Sequence, residues 1–307
     1  MKPLALSLGD PAGIGPEVTA KALARRRPRG GVLLVGDPAS VPRDLRPLLR
    51  GLAWVKVTRK GWRRGRPSAA SGALAHASVL EAVRRVQRGE ARGLVTAPLS
   101  KEALHRAGLR YSGHTELLAE LSGLRAEQVG MLLVGGGLRV FLVTRHLSLR
   151  KALAALNRPV LDRALELCAA GLRQGFGLAR PRLALAALNP HAGEAGAFGD
   201  EERRLLAPWV RARSRSRAYA LSGPWPADTL FVEARRGAYD AVLCLYHDQG
   251  LIPLKLLAFD SGVNVTLGLP YVRTSPDHGT AFALAGKGRA DPGSMAAALA
   301  LADRMAR

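Results

Sequence analysis

The sequence predicts an α/β protein built on a largely parallel sheet covered on both faces. Three observations carry that reading. Short runs rich in Val and Leu recur along the chain. Longer segments with apolar residues at helical spacing lie between them, and such alternation is the pattern of a parallel sheet with crossover helices. The Gly/Pro-rich turn Gly9-Asp10-Pro11-Ala12-Gly13-Ile14-Gly15-Pro16 follows the first run directly and leads into a helical pattern.

The strand candidates, in order, are Leu4–Leu8, Val32–Val35, Leu94–Thr96, Val140–Thr144, Leu183–Leu188, Ala241–Tyr246 and Val263–Leu267. The first is read as a buried strand and not a leader, because its apolar stretch is short and runs straight into the turn. Pro16 suits the first position of the following helix, and Glu17 suits its positive end. Further helices are expected over Ala73–Arg88, Val160–Gln174 and Ser294–Met305. The Arg/Ser tract Arg211–Arg217 reads as an exposed helix end or loop. No internal repeat and no Pro/Gly hinge divides the chain, so a discontinuous arrangement is expected, with the chain crossing between two lobes.

Composition bounds the function. Of 307 residues, 48% are hydrophobic and 23% charged, the balance of a globular chain and not a disordered one. No apolar run approaches the roughly 18 residues that span a bilayer, so a cytoplasmic protein without a membrane partner is expected. Cys168 and Cys244 each sit alone in an apolar run, which indicates neither a disulfide framework nor a thiolate zinc site. The 46 Lys+Arg exceed the 24 Asp+Glu by +22, and Arg25–Arg29 and Arg59–Arg66 could grip phosphate backbones. Aromatics are 5%, however, with no basic-aromatic interleaving to stack bases. The charge is therefore read as solvated surface. Nucleic acid is not expected as a partner, while a phosphorylated small substrate suits the charge.

Active sites of α/β sheets lie beyond the carboxyl ends of the strands. Three of the seven histidines follow such ends: His146 after Arg139–Thr144, His191 after Leu183–Leu188, and His247 after Ala241–Tyr246. Three converging imidazoles would suit a divalent metal with an open position, whereas each taken singly reads as an ordinary loop residue. The Gly9–Glu17 turn is not a GxGxxG fingerprint, and no Walker A sequence is present. Ser112-Gly113-His114-Thr115-Glu116 opens a helix, so His114 and Thr115 could bind an anion there, with plain capping as the alternative. Asp277–Ala281 through Ala285–Pro292 forms a long polar, Gly-rich loop suited to close approach of a ligand.

Together these segments resemble the 4-hydroxythreonine-4-phosphate dehydrogenase family. The resemblance rests on GDPAGIGPE at 9–17, VTAPLSKEAL at 95–104, SGHTE at 112–116, NPHAGE at 189–194, GPWPADT at 223–229, YHDQGLIPLK at 246–255 and NVTLGLPYVRTSPDHGTAFALAGKG at 264–288. It implies an α/β, two-lobed isocitrate/isopropylmalate dehydrogenase-like fold with a cleft between lobes, not a Rossmann fold. One lobe would comprise 1–125 plus 265–307 and carry the cofactor loop; the other, 126–264, would carry the metal histidines and dimer contacts.

The resemblance also assigns roles. Metal ligands fall on His146, His191 and His247, holding one divalent ion such as Zn, Mg or Co. Substrate-binding positions fall on His114, Thr115, Lys255, Asn264 and Arg273. Asp228 and Lys255 are the catalytic candidates, for proton handling or for orienting the substrate. His278, Gly279, Thr280, Ala281 and Asp291 look like the loop that takes NAD or NADP, with Asp291 where Asn is more usual. The Thr144–Leu149 segment departs from the family, which often has Thr before the metal His and Pro two residues after it. The implied enzyme is a homodimer with the site at the subunit interface. It would oxidise 4-phosphohydroxy-L-threonine to 2-amino-3-oxo-4-phosphooxybutanoate, which decarboxylates to 3-amino-2-oxopropyl phosphate, in pyridoxal 5'-phosphate biosynthesis. The alternative is a paralogue acting on 4-phospho-threonate or 4-phospho-erythronate in sugar-acid catabolism.

Overall fold

A computed structural model of the protein describes residues 1–111 and 113–306. It divides into two units, Met1–Val129 with Asp260–Arg307, and Gly130–Phe259. Ser112, the first residue of the 112–116 motif, lies outside the described residues. Among those described, no helix is long and apolar enough to cross a membrane.

The chain opens in the first unit with β1 (Leu4–Ser7), α1 (Gly15–Arg25), β2 (Val32–Gly36), β3 (Ala53–Lys56), α2 (Ala69–Gln87), β4 (Gly93–Thr96), α3 (Lys101–Arg106) and α4 (His114–Leu121). The second unit contains β5 (Gly130–Gly135), β6 (Leu138–Leu142), α5 (Leu149–Ala155), α6 (Arg158–Phe176), β7 (Arg182–Ala186), α7 (Ala207–Arg213), β8 (Ala220–Trp225), α8 (Ala227–Arg235), β9 (Ala241–Cys244) and α9 (His247–Ala258). The chain ends in the first unit with β10 (Val263–Leu267), β11 (Val272–Pro276) and α10 (Gly293–Met305).

In the first unit the strands lie in the order β3-β2-β1-β4-β11-β10. β1 runs parallel to β2 and β4, and β4 parallel to β11, whereas β10 is antiparallel to β11. All four residues of β1 and of β4 are buried, as expected of strands covered on both faces. Asn264 pairs with Ser275, so β10 and its Asn264 belong to this unit and not to the 126–264 lobe expected from the sequence. Local chemistry sets the helix starts: the Ser68 hydroxyl accepts from Ser71 N–H ahead of α2, and Ser100 accepts from Ala103 N–H ahead of α3.

In the second unit the order is β5-β6-β9-β7-β8. β5 and β6 form an antiparallel hairpin, and β6, β9, β7 and β8 are parallel. Leu133, Val140, Leu142, Ala184, Val242 and Leu254 form its core. Cys168 and Cys244 are free and fully buried, and burial pushes both thiols upward, so they behave as inert apolar groups.

Asp10, in the turn after β1, is fully buried. Its carboxylate accepts from Ala12 N–H at 2.9 Å and from the Ser71 hydroxyl at 3.4 Å. Desolvation outweighs both bonds and pushes its pKa up to about 6, from an ordinary 3.8. A raised carboxyl pKa means that the folded state holds the proton longer than the unfolded chain. Its contribution to stability is therefore greatest below the ordinary value and is lost as pH rises to about 6. Asp10→Asn keeps an acceptor for Ala12 N–H but removes the charge. Its stability relative to wild type, from urea midpoints, should climb between about pH 4 and pH 6.5, by at most about 3 kcal/mol. A constant difference across that window would refute the assignment.

Candidate active site

The second unit builds a platform from strand ends. β6, β9 and β7 are adjacent and parallel, with Leu142 facing Cys244 and Leu185 facing Leu243, so their carboxyl ends lie side by side. Three polar side chains tie the segments just beyond them. The Thr144 hydroxyl donates to Leu245 O at 2.7 Å. Gln249, buried in α9, accepts from Leu245 N–H at 2.7 Å and donates to Ala187 O at 2.6 Å. Glu202 accepts from Leu188 N–H at 2.8 Å and Asn189 N–H at 2.9 Å through Oε1, and from Asn189 Nδ2 at 2.8 Å through Oε2. Sequence reasoning missed Gln249 and Glu202. A polar residue one turn into an apolar helix could have flagged Gln249; nothing local marks Glu202.

Each expected metal histidine emerges from this platform. His146 follows Thr144, His247 opens α9, and His191 follows the Asn189 held by Glu202. The His146 and His247 rings lie 5.7 Å apart between centroids, tilted by 43°. His247 Nδ1 is 2.6 Å from Asp248 Oδ1, and the His191 ring is 6.1 Å from Phe198. His146 (φ 49°) and His191 (φ 51°) both take the left-handed backbone conformation, and His191 begins a run of five such residues through Ala195. Such a conformation costs a side-chain-bearing residue roughly 1–2 kcal/mol. Three imidazoles on one side of three neighbouring strands are a donor set suited to a divalent ion, so their chemistry fits the expected metal. Among the described residues, however, no group of three or more His, Cys, Asp or Glu side chains gathers within coordinating reach. The structure thus pairs His146 with His247 and leaves His191 on the neighbouring loop.

The two catalytic candidates also lie in this unit. Asp228 is exposed in the first turn of α8, after β8 and its cis Gly223-Pro224 bond. Lys255 lies on α9, its Nζ 5.8 Å from the centre of the Phe259 ring.

The first unit holds the remaining expected residues. Arg273, on β11, is 1% exposed. Its guanidinium donates to Thr266 Oγ1 at 2.9 Å and Thr96 Oγ1 at 2.6 Å, both neutral hydroxyls, and Nε is buried without a partner. Among the described residues it makes no ion pair with a carboxylate. Burial pulls its pKa down, because desolvation disfavours the charged form. His114, at the start of α4, is held well below its usual value by burial and by the Arg273 charge; its Nε2 is buried and unpartnered. Among the described residues, no side chain caps α4, whose N-cap is Gly113. Thr115 is buried beside His114, and Asn264 Oδ1 is a further buried atom without a partner. A buried cation, a neutral imidazole and orphaned polar atoms make a set of groups whose hydrogen-bonding capacity a polar ligand could satisfy. The 278–291 loop carries another such atom, His278 Nε2.

The sequence profile described as "Pyridoxal phosphate biosynthetic protein PdxA" matches residues 37–302. A Geobacter metallireducens protein named 4-hydroxythreonine-4-phosphate dehydrogenase is 48% identical over 330 residues, covering 99% of this chain and 95% of that protein. A protein of the same name from Bradyrhizobium diazoefficiens is 45% identical over 336 residues, covering 99% and 97%. Among solved structures, the 4-hydroxythreonine-4-phosphate dehydrogenase of Klebsiella pneumoniae superposes with a TM-score of 0.86 at 41% identity, covering 100% of both chains. A terephthalate 1,2-cis-dihydrodiol dehydrogenase from Burkholderia xenovorans gives 0.69 at 31% identity, covering 99% of this chain and 98% of that one. The architecture, two α/β units built on mostly parallel strands, is of the α/β class that the sequence predicts.

Proposed function

The chain belongs to the pyridoxal phosphate biosynthetic protein PdxA family, an oxidoreductase family, and from that premise we propose that its substrate is 4-phosphohydroxy-L-threonine. The reaction oxidises the secondary alcohol to 2-amino-3-oxo-4-phosphooxybutanoate with NAD or NADP. The new ketone lies β to the carboxylate, so loss of carbon dioxide gives 3-amino-2-oxopropyl phosphate. The observation that carries this reading is Arg273: a fully buried guanidinium held by neutral hydroxyls beside an uncharged His114 is built to receive an anion.

Arg273, His114, Thr115 and Asn264 bind and orient the phosphorylated substrate. Lys255 and Asp228 orient its amino-acid end and hold or move the proton of the alcohol. His146, His191 and His247 would hold one divalent ion, Zn, Mg or Co, whose Lewis acidity favours the ionised form of a bound alcohol. His278, Gly279, Thr280, Ala281 and Asp291 form the loop that would hold a dinucleotide, whose nicotinamide would supply the hydride-accepting chemistry. Catalysis then takes place in a cytoplasmic homodimer. Ile252 (60% exposed), Leu256 (82%) and Phe259 (72%) leave a strongly apolar side of α9 in water, which supports this surface as part of the dimer contact.

The test is nicotinamide reduction by purified protein, comparing 4-phosphohydroxythreonine with 4-phosphothreonate, each with and without chelator and added divalent metal. Chelator-sensitive turnover that prefers the amino substrate is expected. Preference for the threonate would keep the chemistry and move the enzyme to sugar-acid catabolism. No turnover of either by a metal-loaded dimer would remove the reading.

A further inference from the structure

The Gly9–Glu17 turn has no part in the chemistry above, and its glycine spacing is not that of a phosphate cradle. Its partners give it another task. Ile14 N–H donates to Thr280 O at 2.9 Å. A Cβ on Gly13 would sit 2.8 Å from Thr280 O and 2.9 Å from Thr280 Cβ, so glycine alone lets the two backbones meet. Farther along the same segment, in α1, the Lys21 ammonium has three acceptors: Glu17 Oε1 at 2.9 Å, Gly288 O at 2.8 Å and Ala290 O at 2.9 Å. An ammonium carries three protons, so each has an acceptor. Glu17, 1% exposed, accepts in turn from Ala290 N–H at 2.9 Å. One continuous stretch of chain therefore grips both ends of the 278–291 loop, while none of the residues Phe282–Leu284 between them is buried.

We propose that the Gly9–Glu17 turn together with Lys21 is the dock that holds the dinucleotide-binding loop in its binding conformation. Glu17 and Lys21 act as positioning residues. They touch no reacting atom, and they fix where the loop's backbone stands. The inference rests on the reading of 278–291 as the cofactor loop. A loop that must order itself on binding spends part of the binding free energy on that ordering, and a loop already fixed does not. A dock of this kind acts on dinucleotide affinity and leaves the substrate's own contacts on β10, β11 and α4 alone.

The experiment uses the full-length, metal-loaded protein and measures NAD and NADP dissociation constants by fluorescence, with steady-state kinetics in both substrates. Lys21→Met should raise the dinucleotide Kd and KM roughly ten- to a hundredfold, the scale on which a displaced positioning element acts. The KM for 4-phosphohydroxythreonine should stay within about twofold, because truncating a remote positioning group removes binding of one ligand. Lys21→Arg, which keeps a multiple donor, should recover most of the affinity. Gly13→Ala should act in the same direction; should it fail to fold, the Lys21 pair decides alone. A merely structural role would lower Tm and the active fraction while the remaining enzyme keeps its dinucleotide Kd. That result, or unchanged dinucleotide Kd and KM in Lys21→Met, overturns the proposal. If the wild-type chain binds neither dinucleotide, the cofactor reading itself falls and the dock falls with it. That failure shows before any variant is made.

Discussion

His191→Ala is expected to abolish stable binding of the divalent ion and to lower turnover by at least about 10³-fold, since Lewis-acid stabilisation is worth several kcal/mol and each 1.36 kcal/mol is a factor of ten. The fold should survive. His191 is exposed, and the loop it stands on is held through Asn189 and Glu202 and not through the imidazole. Metal content after dialysis, turnover and Tm should therefore separate cleanly, with the first two lost and the third within a few degrees of wild type. A chelator should reproduce the loss in the wild-type protein, and added metal should reverse it there but not in the variant. Full activity in metal-stripped buffer would remove the three histidines from the mechanism. Glu202→Ala is the informative companion. It leaves all three imidazoles in place and releases the Leu188 and Asn189 N–H groups, so metal affinity should fall by about 10- to 100-fold, the range for groups that orient a ligand.

The parts of the fold legible in the sequence are those whose side chains follow the local rule. Leu4–Leu8, Val32–Val35 and Val263–Leu267 are apolar runs and become buried strands β1, β2 and β10. β11 escaped because Val272-Arg273-Thr274-Ser275-Pro276 reads as a polar loop. Its polar side chains find partners on other elements: Arg273 donates to Thr266 and Thr96 while its Nε stays unpartnered, and Thr274 donates to Ala298 O at 2.8 Å. Tertiary contacts there override propensity. β5 was obscured by glycine: Gly130 and Gly135 bound it, and Gly136 and Gly137 at φ 59° and 84° turn it into β6.

The candidate site was legible to a similar depth. Three histidines at equivalent strand ends can be seen in one dimension, because parallel strands repeat the same order of strand, loop and helix. The residues that hold those loops cannot. Gln249 acts on Ala187, 62 residues away, and Lys21 acts on Gly288, 267 residues away. Neither separation leaves a trace in local spacing. Glu17 shows the same limit at a residue that was singled out. Its place at the positive end of α1 was readable, and its bond to Ala290 was not.

Arg273→Met should raise the KM for the phosphorylated substrate by roughly 10²-fold or more, as expected when one partner of a buried, charge-assisted contact is removed. The same variant should be no less stable than wild type. Arg273 is a buried charge facing two threonine hydroxyls, and burial already works against its ionised form. Replacing an uncompensated buried ion with an apolar side chain of similar length removes a desolvation cost that the free protein carries. Inorganic phosphate should separate the two effects: it should raise the Tm of the wild-type protein and compete with substrate, and do neither in the variant. Arg273→Lys keeps the charge without the planar fork and should fall between them. An unchanged KM would take Arg273 out of the substrate site. A large fall in Tm would show instead that the guanidinium serves the fold, through Thr96 and Thr266, and not an anion. A raised KM with an undiminished Tm is the outcome that only an anion site, kept at the expense of stability, can produce.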